Sequence, residues 1–443
     1  MKKLIYLLVF SVFLGTQILA VDVGFKLSLY RVLFLTTFYL FMLMFINNDQ
    51  RLRFYPLKLS STYTSFYMLW LFYSLVSIAW SQNLAGWAKA NIFIGIGVFS
   101  IIFIHLFIKE KKDLMNLFRS VAAGIILHIG LGLYELFTAN YFWASDHFMT
   151  KYRPESRNVL SRIPISIYPN ENDFATVMLM GSFILLLLAR TTKNLYSKIG
   201  YSILWVTCFW LIYQTDSRAN VLAFGLGIGA MVLAYFARVL TRKHFAVALG
   251  AAAGAGSIAL IASSAARQQV AGLLEILSTD TFHGTSNEMR VNLIRNGFAF
   301  LRNSFGFGVG AGNIEHYMQT NAIFQTGGIS NMHNWWMEIL TGYGIVIFFL
   351  YMFMYISMIR KAYLYYRHSD DAFVRKTALA ILGYLAAFTM SSISSASNII
   401  NEWQWVIFGV IIAFFSYCES VGLERRSNKI EQTVNDLVGG HHG

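Results

Sequence analysis

The sequence predicts an all-α polytopic membrane protein of about twelve transmembrane helices, with two long extracytoplasmic loops that contain short amphipathic helices. Three observations carry this. The 443-residue chain is 56% apolar and only 13% charged, whereas a soluble domain is about 25% charged. Its apolar residues recur in runs of roughly 20, each able to cross a hydrocarbon core about 30 Å thick. Its basic residues cluster between those runs, where membrane topology signals sit.

In order, the runs are 4–22, 28–46, 65–82, 91–108, 118–139, 172–189, 198–213, 219–237, 245–263, 335–358, 376–396 and 403–419. The first follows Met1-Lys2-Lys3 and ends near Ile18-Leu19-Ala20, mimicking a signal peptide; the second follows at once, so the first reads as an uncleaved span. With the N-terminus inside, every cytoplasmic loop carries basic residues, such as Arg51, Arg53 and Lys58 in the first. The expected organisation is helices 1–5 in residues 1–140, an extracytoplasmic loop at 141–171, and helices 6–9 in 172–263. A large extracytoplasmic loop at 264–334, helices 10–12 in 335–419 and a cytoplasmic tail at 420–443 follow. The protein is thus expected in the plasma (inner) membrane, multi-pass, with both termini cytoplasmic.

The net charge of +13 does not point to nucleic acid, because the basic residues are spent on topology. Cys208 and Cys418 lie in or beside spans and read as small packing residues, with no disulfide or metal-ligand spacing. Gly225-xxx-Gly229 and Gly250-xxx-Gly254 read as helix-packing motifs. His441 and His442 are assigned no role.

The informative cations are those left outside: Lys26, Arg31, Lys89, Lys151, Arg153, Arg157, Arg162, Arg218, Arg267, Arg290, Arg295 and Arg302. Positive charge kept outside against the topology rule wants an anionic ligand there. Loops this long are usually functional or disordered, and both carry aromatic and apolar residues. Residues 287–303 read as an amphipathic helix with Met289, Leu293 and Leu301 on or near one face. Around such a helix Arg295 and Arg302 share a face, and Arg290 points about 140° away from Arg295.

Asn331-Met332-His333-Asn334-Trp335-Trp336 opens a span at its outer end. The tryptophans suit an interfacial belt and an asparagine suits a helix cap. The histidine is the residue neither explains; an imidazole there can take a proton from a hydroxyl. Arg218, in Thr215-Asp216-Ser217-Arg218, is a snorkelling interfacial residue, a partner of Asp216, or a guanidinium at phosphate depth. Gly306-Phe307-Gly308-Val309-Gly310-Ala311-Gly312 follows no expected strand; it reads as a turn that lets backbone approach another segment, not as a phosphate loop. His128, inside the fifth span without an ionisable partner, reads as a neutral packed histidine.

Four segments in order resemble the O-antigen ligase and polymerase (Wzy) superfamily. They are Pro169-Asn170-Glu171-Asn172, Thr215-Asp216-Ser217-Arg218, Gly306 to Gly312, and His333-Asn334-Trp335-Trp336 with Gly342-Tyr343-Gly344. The resemblance implies a glycosyltransferase with a polyprenyl-diphosphate-linked glycan as donor and no cofactor or metal. By the same resemblance His333 is the general base, and Arg218 and Arg290 hold the diphosphate. Arg157, Arg162, Asn170 and Asn334 are candidate donor or acceptor contacts. The paired tryptophans resemble those of Gram-positive members that make teichuronic-acid or exopolysaccharide polymers, which favours a polymerase joining repeat units. The alternatives are a ligase transferring to lipid A core or another terminal acceptor and, behind it, a flippase. The expected partners are the lipid-linked donor, a glycan acceptor, the bilayer and a chain-length regulator, without nucleic acid.

Overall fold

A peptide group in hydrocarbon has no water to bond, so long apolar runs satisfy their backbone as helices, and only four prolines interrupt this chain. The structure, a computed structural model, describes residues 1–22, 26–49, 58–145, 149–240, 243–244, 286–393 and 399–439. Its first helices are α1 (Lys2–Ser11), α2 (Leu29–Ile46), α3 (Ser61–Val76), α4 (Leu84–Phe107) and α5 (Lys111–Thr138). The short α6 (Met149–Tyr152) precedes α7 (Glu171–Thr191), α8 (Leu195–Gln214) and α9 (Arg218–Val239). The amphipathic α10 (Ser286–Asn303) and short α11 (Ile314–Thr320) lead to α12 (Trp335–His368), α13 (Ala372–Ser391) and α14 (Glu402–Gly439). Among the described residues nine helices, α2, α4, α5, α7, α8, α9, α12, α13 and α14, are long and apolar enough to cross a membrane. The protein is an all-α polytopic membrane protein.

Burial sorts these helices. The apolar window of α7 is 78% buried and those of α13 and α14 are each 72% buried, whereas α2 and α8 reach only 17%. The first three are the centre of the bundle; the last two turn apolar side chains outward, where lipid is their solvent. Asparagine or aspartate starts several helices: Asn83 accepts from the Gly86 amide (2.9 Å), and Asp371 from those of Phe373 (2.7 Å) and Val374 (3.3 Å). Each supplies an acceptor to N–H groups that the helix itself cannot satisfy.

Two expected spans are shorter than their hydropathy suggests. The run at 4–22 is helical only to Ser11, then makes a 3-10 turn (Val12–Leu14) that ends at Gly15 with φ 57°. Beyond it lies a two-stranded hairpin, β1 (Ala20–Asp22) against β2 (Lys26–Ser28), with Val21 opposite Leu27. Apolar composition continues across Gly15, so hydropathy does not register the break. The run at 65–82 is α3 plus a 3-10 turn at Ser77–Ala79. The expected ninth span at 245–263, Gly250, Gly254, Arg267, Arg51, Arg53, His441 and His442 lie outside the described residues.

Among the described residues, α9 packs closely through Gly227 and not through Gly225 or Gly229. No described residue lies within 4 Å of a Cβ built on Gly225 or Gly229; Gly227 makes the contact, leaving room for the Phe183 ring and for the Gly383 carbonyl of α13 at 2.6 Å. Cys208 and Cys418 are buried free thiols, as packing residues should be.

The Gly306–Gly312 segment docks onto a broken turn of α12. Gly344 has φ 79° and ψ −179°, which interrupts the helix. Val309 N–H then donates to Thr341 O (2.9 Å), Gly310 N–H to Gly342 O (3.0 Å), and Ile345 N–H to Gly306 O (2.9 Å). Ala311 N–H donates to Ser77 Oγ (3.1 Å). These amides are bonded to protein and do not cradle a phosphate. The segment is the close backbone approach that its sequence suggested.

Candidate active site

Helices α2, α7 and α14 and the segment leading into α12 start around one cavity of about 1110 Å³. The start of a helix carries partial positive charge, so this end of the bundle favours an anion before any side chain is considered. Among the residues lining it are His333, Arg290, Lys151, Glu171, Asn170 and Asn331, with Arg31 and Glu402 also on the wall.

His333 is held by its neighbours on both sides. Met332 is 3% exposed and Trp335 is 2% exposed. Trp335 Nε1 donates to the Tyr351 hydroxyl (2.9 Å), its backbone N–H donates to Ser392 O (2.9 Å), and its ring stands 5.9 Å from that of Trp70. Trp335 therefore belongs to the bundle's aromatic core and not to an interfacial belt, a distinction composition does not make. Trp336 is half-buried and donates from Nε1 to Thr389 O (3.2 Å). Asn334 is the cap, accepting from the Trp336 (3.1 Å) and Met337 (3.2 Å) amides. Between these anchors His333 adopts φ 47°, a left-handed conformation that an L-residue takes only when its surroundings impose it.

The His333 Nδ1 atom is buried and has no hydrogen-bond partner. Burial, then the Arg290 guanidinium, and then Lys151 hold the imidazole down at about pKa 4, with Glu171 opposing them. It is neutral at physiological pH and can accept a proton.

Arg290 reaches the cavity from the first half of α10, which seats Leu293, Phe300 and Leu301 against Met332, Met337 and Leu340. Asn292 and Asn296 pin the following segment to that helix, Asn296 Oδ1 accepting from Ile323 and Phe324 N–H (both 2.9 Å). Of the three arginines of α10, Arg290 lines the cavity, Arg295 stacks over Phe324 (5.5 Å) and Arg302 is exposed. Only Arg290 of the three thus lines the cavity.

Asn170 lines the cavity and caps α7, accepting from the Asn172 and Asp173 amides at 3.0 Å each. Two ion pairs in the wall were not anticipated: Lys151–Glu171 (2.5 Å) and Arg31–Glu402 (2.8 Å). The sequence marks Lys151 and Arg31 only as cations on the outer side, and nothing local identifies their partners.

Arg218 is exposed and is not among the lining residues. Its turn is nevertheless tied to the cavity wall: Ser217 Oγ donates to Asn172 Oδ1 (2.7 Å), and Asn220 Nδ2 donates to Ser217 Oγ (2.9 Å). Asp216 pairs with Arg153 (3.4 Å), not with Arg218. Arg157 is exposed and outside the lining; Arg162 donates to Leu136 O (2.6 Å) and Ser156 O (3.0 Å), fastening the loop to the end of α5. Asn334, the cap, is also outside the lining. His128 is buried, with Nδ1 3.0 Å from Ser166 Oγ and Nε2 3.1 Å from the Tyr168 hydroxyl, as a packed histidine should be.

Residues 203–352, which contain Arg218, Arg290 and His333, match the O-antigen ligase (Wzy C-terminal) family. Over this segment the chain is similar to the O-antigen ligase family. A relative, the teichuronic acid biosynthesis protein TuaE of Bacillus subtilis (strain 168), is 28% identical over 438 residues, covering 97% of this chain and 86% of the relative. The family match and the relative together support a membrane polysaccharide polymerase- or ligase-type role. The match runs from within α8 to within α12, the part of the chain that supplies Arg290 and His333 to the cavity.

Proposed function

We propose that the chain is a glycosyltransferase that uses a polyprenyl-diphosphate-linked glycan as donor and joins repeat units of a surface polysaccharide on the outer face of the plasma membrane. The observation that supports it most is a neutral imidazole and a guanidinium, His333 and Arg290, on one cavity wall. In the reaction, the acceptor hydroxyl oxygen attacks the anomeric carbon and gives its proton to His333. The bond from that carbon to the diphosphate oxygen breaks, and the lipid diphosphate leaves with the electron pair. Arg290, and Arg218 at the edge, hold the charge it gains, a task that a metal ion performs in other enzymes.

The positioned base contributes about 10²–10⁴-fold. Purified wild-type protein should transfer glycan from a lipid-diphosphate donor, and His333→Ala should lose most of that activity while remaining folded. Wild-type-like product from the variant removes the proposed base. A polymerase reading is favoured by a relative whose name places it in teichuronic acid biosynthesis. A polymerase given one lipid-linked substrate makes a ladder of longer lipid-linked chains; a ligase leaves it at its original length.

A further inference from the structure

Glu171 has a carboxylate that the fold does not use up. The residue is 8% exposed. Its Oε1 accepts from Lys151 Nζ (2.5 Å) and Asn172 Nδ2 (3.4 Å), but its Oε2 is buried with no hydrogen-bond partner. Capping does not explain it, because Asn170 already satisfies the first amides of α7. A buried acceptor left empty is unfavourable, and each such atom in a native structure asks for a reason.

Asn331 Oδ1 and His333 Nδ1 are two more buried, partnerless polar atoms on the same cavity. A ligand completing this wall has to bring hydrogen-bond donors to it. A phosphate brings none at neutral pH and is repelled by the carboxylate, so the diphosphate belongs with the arginines. A metal ion fits poorly, since among the described residues no three His, Cys, Asp or Glu side chains gather closely enough to hold one. A sugar face fits, because its hydroxyls donate.

We infer that Glu171 binds a hydroxyl of the acceptor sugar and so orients the neighbouring reacting hydroxyl towards His333. The inference rests on the transferase reading above and deepens it: one end of the cavity holds the anionic leaving group and the wall around Glu171 holds the neutral acceptor. Glu171 donates and receives no proton in the reaction; it is a positioning residue. Lys151 bonds one oxygen of the carboxylate and leaves the other, buried at the cavity wall, without a partner.

The test is transfer kinetics of the purified full chain with a lipid-diphosphate glycan donor and a set of acceptors, each lacking one hydroxyl. Glu171→Gln keeps the shape of the side chain. It should raise the acceptor KM about tenfold or more, with the donor KM close to wild type, because a site built to bond a hydroxyl loses most when one partner is removed. One deoxy acceptor should be about tenfold or more poorer with wild-type protein, and that penalty should shrink in Glu171→Gln. A merely structural carboxylate does not produce such non-additivity. If the variant does not fold, the wild-type deoxy series still decides. An unchanged acceptor KM in a folded Glu171→Gln, or a deoxy series in which no hydroxyl matters, overturns the assignment. Absence of transfer by the wild-type protein strikes the transferase reading instead.

Discussion

The Arg290 guanidinium lowers the proton affinity of the His333 imidazole across one cavity, second only to burial in holding it at about pKa 4. If neutral His333 is the base, protonation abolishes its role, so kcat/KM should be level at neutral pH and fall as the pH drops through about 4. Arg290→Gln removes a neighbouring cation, which raises the histidine pKa and moves the acid limb to higher pH. Burial persists, so the return towards the ordinary histidine range is partial. Bound diphosphate offsets Arg290 in the same sense, and the acid limb of kcat should lie above that of kcat/KM. A pH–rate profile checks all three; a limb that Arg290→Gln does not move disproves the coupling.

Arg218 stands exposed at the first position of α9, outside the lining of the cavity but on a turn bonded to its wall. Its removal should therefore affect chemistry and not folding. Arg218→Ala is expected to lose about 10²–10³-fold in transfer, as loss of one preorganised charge partner does, with stability within about 0.5 kcal/mol of wild type. Arg218→Lys should also lose most activity, because an ammonium lacks the bidentate fork. Rates and thermal melts of the two variants check this. Full activity in the lysine variant reduces Arg218 to a point charge, and full activity in the alanine variant removes it from the site.

Local rules made part of this site readable. Asn334 precedes an apolar run and is the cap that such a position predicts. Helical periodicity separates Arg290 from Arg295 and Arg302, because the three share one helix. What stayed hidden depended on distant partners. Lys151 and Glu171 are 20 residues apart and meet only when the loop folds back over α7. Trp335 looked interfacial because an aromatic belt and an aromatic core have the same composition; the Tyr351 hydroxyl and Trp70 ring that bury it lie on α12's next turns and on α3. The helical run that begins with α1 stops at the left-handed Gly15, a backbone angle to which hydropathy is blind.

Arg162 separates loop architecture from chemistry. Its guanidinium donates to Leu136 O near the C-terminal end of α5 and to Ser156 O within the loop, so it satisfies a helix-end carbonyl and closes the loop at once. Arg162→Ala should destabilise the protein by about 1–3 kcal/mol, the range for leaving buried acceptors unpaired. At temperatures where the variant is folded, its donor KM should match wild type. Thermal unfolding in detergent, paired with transfer kinetics, measures both. A raised donor KM with unchanged stability would return Arg162 to the substrate contacts.

Gly308 tests whether the loop docked on α12 is what sets the His333 segment in place. Its φ is +79°, and a Cβ there would stand 2.6 Å from the Gly344 nitrogen and 2.8 Å from the Gly342 carbonyl oxygen. Both neighbours are backbone, so neither can rotate away. Gly328 is the internal comparison: its φ is +83°, but no described residue lies within 4 Å of an added Cβ. Gly328→Ala should cost only the left-handed strain, about 1 kcal/mol. Gly308→Ala should add the clash and exceed about 3 kcal/mol in total, at the severe end of single substitutions. The route to His333 is short: Gly308 sits between the two segments whose Val309–Thr341 and Gly310–Gly342 hydrogen bonds hold the first turns of α12, and α12 begins two residues after the histidine. Gly308→Ala should therefore also lower transfer at temperatures where the protein remains folded, whereas a melt no lower than that of Gly328→Ala would show that the docked loop yields easily.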